Sequence, residues 1–359
     1  DQVFYQIFPE RFRNGAPDLG PRDGAYRMRD EGPIRAKRWG AAIDPRRPNS
    51  EFYGGDLIGV RDKLDYLADL GVTALYLNPI FYPGFSGSLY AVKDFRRLDP
   101  VLVEGESSLS MLRPILAQAK AAGLAPMVDL VINHTAKDSE LVQSHPEWYC
   151  RDERGEVQSP WAIDPADARR KTVWGDLAEL DHAGTSDPEG LRHFLEDVVE
   201  LCLEVGFEGF RCDAAYQLPR DLWRRLIGET KKQHPKVLFF AETLGCTPDR
   251  TRRTAQAGFD YVFNSSKWWD FKSPWLMEQY NLVRETAPSI SFPESHDTPR
   301  LFEETHQNIT AMKQRYLFSA LFSGGVMMPM GFEFGFRKSL HVVKTTPEAW
   351  EEPNIDLCG

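Results

Sequence analysis

Eight short apolar runs recur along this 359-residue chain between amphipathic stretches, and that alternation narrows the folds open to it. The runs lie at 3–8, 73–77, 126–132, 208–212, 237–241, 259–263, 289–292 and 325–329. Helical periodicity occupies the intervals at 56–70, 109–122, 189–205, 219–232, 249–257, 268–286 and 308–322, with a weaker stretch near 347–352. Strands that alternate with helices read as βα units on a parallel sheet. The run at 126–132 is almost entirely apolar, as expected where both faces of a strand are covered. Eight units in succession predict a (β/α)8 TIM barrel of the α/β class, and the length suits one.

One connection is too long for a plain barrel. Roughly fifty residues separate the third run from the helix near 189, against a usual ~2–6 for such loops. The expected division is therefore a barrel built from 1–134 and 186–359, with 135–185 as a small excursion domain on the active-site face. Little chain follows the eighth run, so a C-terminal domain is expected to be absent or truncated. The chain opens at Asp1 without Met, which points to a processed or cut start.

A net charge of −10 argues against nucleic acid or an anionic membrane as partner, since both reward basic patches. No apolar stretch approaches the ~20 residues of a membrane span. The five cysteines (Cys150, Cys202, Cys212, Cys246 and Cys358) show neither metal spacing nor a paired framework. Reduced thiols favour the cytoplasm. Oligomeric state leaves no mark on the sequence.

Three acidic residues follow strand-like runs: Asp213 ends Gly-Phe-Arg-Cys-Asp, Glu242 follows Val-Leu-Phe-Phe-Ala, and Asp297 lies in Pro-Glu-Ser-His-Asp-Thr. A parallel barrel delivers functional groups from the C-terminal ends of different strands to one pocket. Three carboxyls brought together that way suit acid/base and nucleophilic work on a glycosidic bond. Arg211 stands two residues before Asp213, on the same side of its strand, and would keep it ionised by charge pairing. The apolar residues before Glu242 would raise its pKa, as an acid catalyst needs.

With these residues in place the chain resembles glycoside hydrolase family 13, the α-amylase family. Asp129-Leu-Val-Ile-Asn133-His134, Gly209-Phe-Arg211-Cys-Asp213, Ala241-Glu242 and Ser295-His296-Asp297-Thr298 match its four ordered motifs, and Leu177–Asp181 resembles a further one within the excursion. The segments 4–12 and 53–57 are similar to the opening of neopullulanase and maltodextrin-degrading branches. The resemblance implies Asp213 as nucleophile, Glu242 as general acid and then base, and Asp297 as a transition-state stabiliser acting through sugar hydroxyls. It implies that His134 and His296 donate hydrogen bonds to that sugar, that Tyr90 is the aromatic platform beneath it, and that Asp129 braces the site. Asn133 is a candidate calcium ligand, with Asp176 and Asp181 as weaker companions, or else an anchor for the excursion; no cofactor is otherwise required. Trp268-Trp269 reads equally as a sugar platform or as packing, and Asp94 and Arg96 read as structural.

The chain also departs from the family. Tyr216 and Gln217 occupy positions where α-amylases usually carry Lys and His, Ala91 replaces the usual Asp after the platform Tyr, and Ser295 replaces a common Asn. Tyr216 and Gln217 would give the leaving-group side neutral contacts. The expected function is a retaining hydrolase of α-glucans or malto-oligosaccharides. One alternative is a transglycosidase on the same substrates, and another is a non-catalytic glucan-binding protein on the same fold.

Overall fold

The computed structural model describes residues 2–17, 24, 27–28, 32–37, 41–42, 44, 46, 51–103, 107–164, 167–340 and 351–354. Eight strands close a barrel: β1 (Gln2–Ile7), β2 (Ala74–Leu77), β3 (Ala125–Leu130), β4 (Gly209–Cys212), β5 (Leu238–Ala241), β6 (Tyr261–Phe263), β7 (Ser289–Ser291) and β8 (Gly325–Pro329). Each pairs in parallel with its sequence neighbours, and β1 closes the ring by pairing with both β2 and β8. All eight strands fall on the runs read from the sequence.

Strand alternation sorts side chains into two cores. Phe4, Ala74, Tyr76, Met127, Phe240, Phe263, Ile290, Phe292 and Met327 fill the barrel interior. Their neighbours of opposite parity, such as Tyr5, Leu75, Val128, Phe210 and Phe239, face the surrounding helices. The interior is tight enough that a Cβ on Gly325 would come within 2.9 Å of both the Phe4 ring and the Gln2 carbonyl. That position accepts only glycine.

The helix Pro188–Val205 shows how local sequence sets an element. Asp187 caps its N-terminus by accepting from the Gly190 N–H, and Pro188 occupies the first turn, where a missing N–H costs nothing. Leu191, Leu195, Val198, Val199, Cys202 and Val205 form its buried stripe. Gly206 ends it at φ 118°, a left-handed conformation that glycine adopts without strain.

Two expected helices are corrected. The stretch 56–70 divides into Leu57–Arg61 and Leu64–Asp69, because the Lys63 N–H bonds three residues back to Val60 and tightens the turn. The stretch 268–286 becomes helical only at Trp275–Val283. Asp270 folds the chain ahead of it into a turn by accepting from the Lys272 and Ser273 N–H groups, and Phe271 takes φ 61°. Of the weak helix near 347–352, residues 347–350 lie outside the described residues, as does Cys358, and 351–354 are irregular. A hairpin of Phe81–Pro83 with Val92–Leu98, not foreseen as strands, follows β2 and carries Tyr90 in its loop.

After β3 the chain leaves the C-terminal end of the barrel. His134–Ala136 pairs antiparallel with Leu177–Glu179, and Trp161–Asp164 pairs with Asp167–Val173 farther out. Among the described residues no helix is long and apolar enough to cross a membrane.

Candidate active site

A polar layer caps the apolar barrel interior at the C-terminal ends of the first strands. Gln6, Asp129 and Arg211 share inward parity with Phe4, Met127 and Gly209, and Tyr76 reaches the same layer from β2. Asp129, wholly buried, accepts from the Arg211 Nη1 at 2.8 Å on one oxygen. Its other oxygen accepts from the Tyr76 and Tyr90 hydroxyls, each at 2.8 Å. Burial pushes the Asp129 carboxyl up from its ordinary value, Arg211 opposes that rise, and the Asp213 charge adds to it.

The same Nη1 donates to the Asp213 Oδ1 at 2.6 Å. One guanidinium thus bridges the inner Asp129 and the more exposed Asp213. Removing Arg211 would leave the buried Asp129 charge uncompensated, which is strongly destabilising, whereas losing Asp213 alone leaves Arg211 paired with Asp129.

Glu242 comes off the neighbouring strand, its N–H bonded to the Cys212 carbonyl at 3.1 Å. One carboxyl oxygen accepts from the Ala214 N–H at 3.1 Å and the other from the Leu244 N–H. Ala214 sits at φ 45°, a region costing a residue with a Cβ roughly 1–2 kcal/mol. The strained turn after Asp213 is thus tied directly to Glu242. Burial pushes Glu242 up to about 7, with Arg211 opposing and the negative charges of Asp213 and Asp297 adding.

Asp297 arrives on the segment after β7, its side chain half exposed, and its Oδ2 lies 3.2 Å from the His296 Nε2. The His296 ring stacks against Tyr90 at 5.4 Å between centroids, with Nε2 also 3.1 Å from the Tyr90 hydroxyl. A buried ion pair between Arg300 and Glu294, at 2.7 Å, braces this segment from below. Arg300 also donates to the Lys338 and Met330 carbonyls.

His134 faces the Tyr90 backbone, its Nε2 3.1 Å from that carbonyl oxygen. A carbonyl only accepts, so Nε2 carries the proton; Nδ1 is a buried lone pair with no protein partner. Burial lowers the affinity of this ring for a second proton. The one ring N–H of His134 is thus set against the Tyr90 backbone.

The Asn133 Nδ2 donates to the Gln217 Oε1 at 3.1 Å, and the Asn133 carbonyl accepts from the Leu180 N–H. The Asp181 carboxylate turns onto its own chain, accepting from the Ala183 and Gly184 N–H groups. Among the described residues no three His, Cys, Asp or Glu side chains cluster as metal ligands.

Tyr216 and Gln217 form a 3-10 turn after Asp213. Arg250 lies over the Tyr216 ring at 4.8 Å and donates twice to the Tyr216 carbonyl, at 3.3 and 3.1 Å. A cation therefore stands beside a turn that its own sequence presents as neutral. Trp269 packs against Phe271 and Phe318, whereas Trp268 is half exposed with its edge toward Phe292. The sequence reading passed over Gln6, Tyr76, Arg250 and Asn78, the last of which donates from Nδ2 to the Tyr90 hydroxyl at 2.8 Å. For the first two a signal existed, a polar group at an inward position of a barrel strand; Asn78 and Arg250 have none.

Comparison with known proteins bears on the family and the fold. The profile described as Alpha amylase, catalytic domain, matches residues 6–242. A cyclomaltodextrinase of Geobacillus thermopakistaniensis (strain MAS1) is 28% identical, the match covering 93% of this chain and 56% of that protein. An intracellular maltogenic amylase of Bacillus subtilis (strain 168) is 30% identical over 67% of this chain and 37% of its own length. The solved type III pullulan hydrolase of Thermococcus kodakarensis superposes with a TM-score of 0.76 at 23% identity, over 99% of this chain and 67% of that one. The chain spans little more than half the length of the first curated relatives it matches.

Proposed function

This chain belongs to the α-amylase family, and we propose that it cleaves α-glucosidic bonds of malto-oligosaccharides or related glucans by double displacement with retention. The observation that carries the reading is the contrast between two carboxyls on adjacent strands. Glu242 is pushed up to about 7, while Asp213 is paired with Arg211 at 2.6 Å. Retention needs one protonated and one ionised carboxyl at the same pH.

In the first step an Asp213 oxygen attacks the anomeric carbon. The bond to the leaving oxygen breaks with its electron pair, and that oxygen takes the Glu242 proton. In the second, the Glu242 carboxylate removes a proton from water as the water oxygen displaces Asp213 from the same carbon. Asp297 holds ring hydroxyls as positive charge grows on the sugar, and His296 beside it donates from Nε2. Tyr90 lies beneath that sugar, and His134 braces the Tyr90 backbone through its Nε2–H. Asp129 and Tyr76 hold Arg211 in place from behind.

No step of this scheme passes through a metal. Asn133 acts as the anchor between the barrel mouth and residues 135–185, a role its bonds to Gln217 and Leu180 support. We take 135–185 as an excursion domain walling the cleft, supported by its departure from the C-terminal end of β3. Trp268 serves as an outer stacking surface for sugar. Four unpaired thiols among the described residues, and a relative named as intracellular, support the cytoplasm.

Transfer to a sugar acceptor is a second outcome of the same intermediate, favoured by Tyr216, held under Arg250 beside Glu242. The non-catalytic alternative predicts the loss of a carboxylate, and all three are present. Chromatography of products from maltoheptaose, pullulan and cyclodextrin tests the reading. Maltose-rich products from at least one of them are expected, and failure to cleave all three overturns it.

A further inference from the structure

We propose that Gln6, on β1, is a positioning residue that fixes the ring of His296 by donating its amide N–H to the Nδ1. The amide nitrogen of Gln6 lies 2.8 Å from that ring nitrogen, with both residues buried. Two independent contacts set the orientation of the amide. The His296 Nε2 faces the Asp297 carboxylate at 3.2 Å, and a carboxylate accepts, so Nε2 must carry the ring proton. Nδ1 is then a lone pair and requires a donor, which only the NH2 end of Gln6 supplies. On the other side, Tyr76 gives its hydroxyl proton to Asp129, leaving an oxygen lone pair 3.4 Å from the same amide nitrogen. Both neighbours call for N–H groups.

The consequence reaches the mouth of the barrel. A ring held this way presents one N–H to the space shared by Asp297 and Tyr90, 3.1 Å from the Tyr90 hydroxyl. The Phe8 ring, edge-on at 5.7 Å, packs against the imidazole but offers it no hydrogen bond. Without Gln6 the Nδ1 is a buried acceptor with nothing to pair with. The ring then gains by flipping or by moving its proton, and either change takes the N–H away from Asp297. Gln6 touches no substrate; it acts through His296.

The inference rests on the glycosidase reading for its kinetic consequence but not for its structural one, and two readouts keep these apart. In protein labelled with 15N-histidine, with the His296 signals assigned through their loss in His296→Gln, long-range proton–nitrogen spectra report which ring nitrogen is protonated. Wild type should show a protonated Nε2 and an unprotonated Nδ1. Gln6→Met, which keeps the length of the side chain without its donor, should move the Nδ1 signal. It should also lower kcat on maltoheptaose roughly three- to tenfold, the worth of one hydrogen bond. A wild-type ring protonated on Nδ1 overturns the proposal even if Gln6→Met fails to fold. So does a Gln6→Met protein whose ring signals or whose kcat match wild type. A protein inert on every glucan, with the ring state as expected and released by Gln6→Met, refutes the glycosidase reading and leaves the positioning role standing.

Discussion

Replacing Glu242 by Gln separates its role as an acid from its role in the fold, because the two have opposite signs. The carboxyl is buried, and its pKa rises from an ordinary 4.5 to about 7. At about 1.36 kcal/mol per unit, that rise corresponds to roughly 3 kcal/mol against the ionised form in the folded state. A folded-state value above the unfolded one gives a stability contribution fully present below about 4.5 and lost as pH rises through about 7. Glu242→Gln cannot ionise and escapes that loss. The Gln NH2 must face one of the two N–H groups that the carboxyl accepts from, a cost independent of pH, so the test is the slope: in urea denaturation the variant should gain up to roughly 3 kcal/mol on wild type between pH 4 and pH 8. Burial of a carboxyl beside Asp213 and Asp297 is thus a cost the fold carries for the sake of its chemistry.

Activity should move the other way, and only for substrates that need the proton. A natural sugar leaving group must be protonated, and general acid catalysis supplies about 10²–10⁴-fold. Fluoride leaves without help. Glu242→Gln should lower kcat/KM on maltoheptaose by about that factor and on α-maltosyl fluoride by far less, roughly tenfold at most. In wild type, kcat/KM on maltoheptaose should fall about tenfold per pH unit on the alkaline side of about 7. Initial rates on both substrates from pH 5 to 9 decide the matter. Equal losses on the two, or a wild-type profile with no alkaline limb, would remove Glu242 as the acid.

The parts of this architecture that were legible in the sequence are those fixed by short-range pattern. Barrel strands buried on both faces leave continuous apolar runs, and Asp187, Pro188 and Gly206 mark both ends of one long helix. Asp129, Arg211, Asp213 and Glu242 could be placed relative to one another because strand parity and strand order determine where they point. Legibility fails where a distant segment sets the outcome. Gln6 meets His296 across 290 residues, and nothing near either predicts it. Arg250 reaches Tyr216 across 34 residues from the first turn of the helix Pro248–Ala255, so the turn looked neutral when read alone. The hairpin carrying Tyr90 was missed because its pairing shifts register at Phe81/Tyr82 and Tyr82/Pro83, which breaks the alternation that marks a strand.

Further outcomes are expected. Asp213→Asn should leave the fold intact and nearly abolish turnover, and proton NMR of the wild-type reaction should show the α-anomer first; residual activity above a few per cent, or initial β-anomer, removes the covalent route. Asp99, whose pKa burial raises from 3.8 to about 7 and whose Oδ2 has no partner, loses its contribution to stability as pH rises through about 7. Asp99→Asn should flatten that dependence, with a gain of up to roughly 4 kcal/mol at pH 8 over pH 4 in urea denaturation, and equal slopes would refute it. The last outcome concerns the partition of the intermediate between water and sugar. Arg250 covers one face of Tyr216, 4.8 Å away, and holds its carbonyl, so the ring is fixed and only its other face is open to an acceptor. A cation over an exposed ring is worth about 0.5–1 kcal/mol, or roughly two- to fivefold in a ratio. Arg250→Met should lower the transfer-to-hydrolysis ratio by that factor at high maltotriose while leaving hydrolysis of dilute substrate nearly unchanged. Tyr216→Ala with Gln217→Ala should lower it further, because the stacking surface itself is gone. Added salt should matter little in either case, since the acceptor is neutral and the guanidinium acts on the ring rather than on a charged ligand. A ratio insensitive to all three substitutions would mean that this turn has no acceptor role and that water reaches the intermediate unopposed.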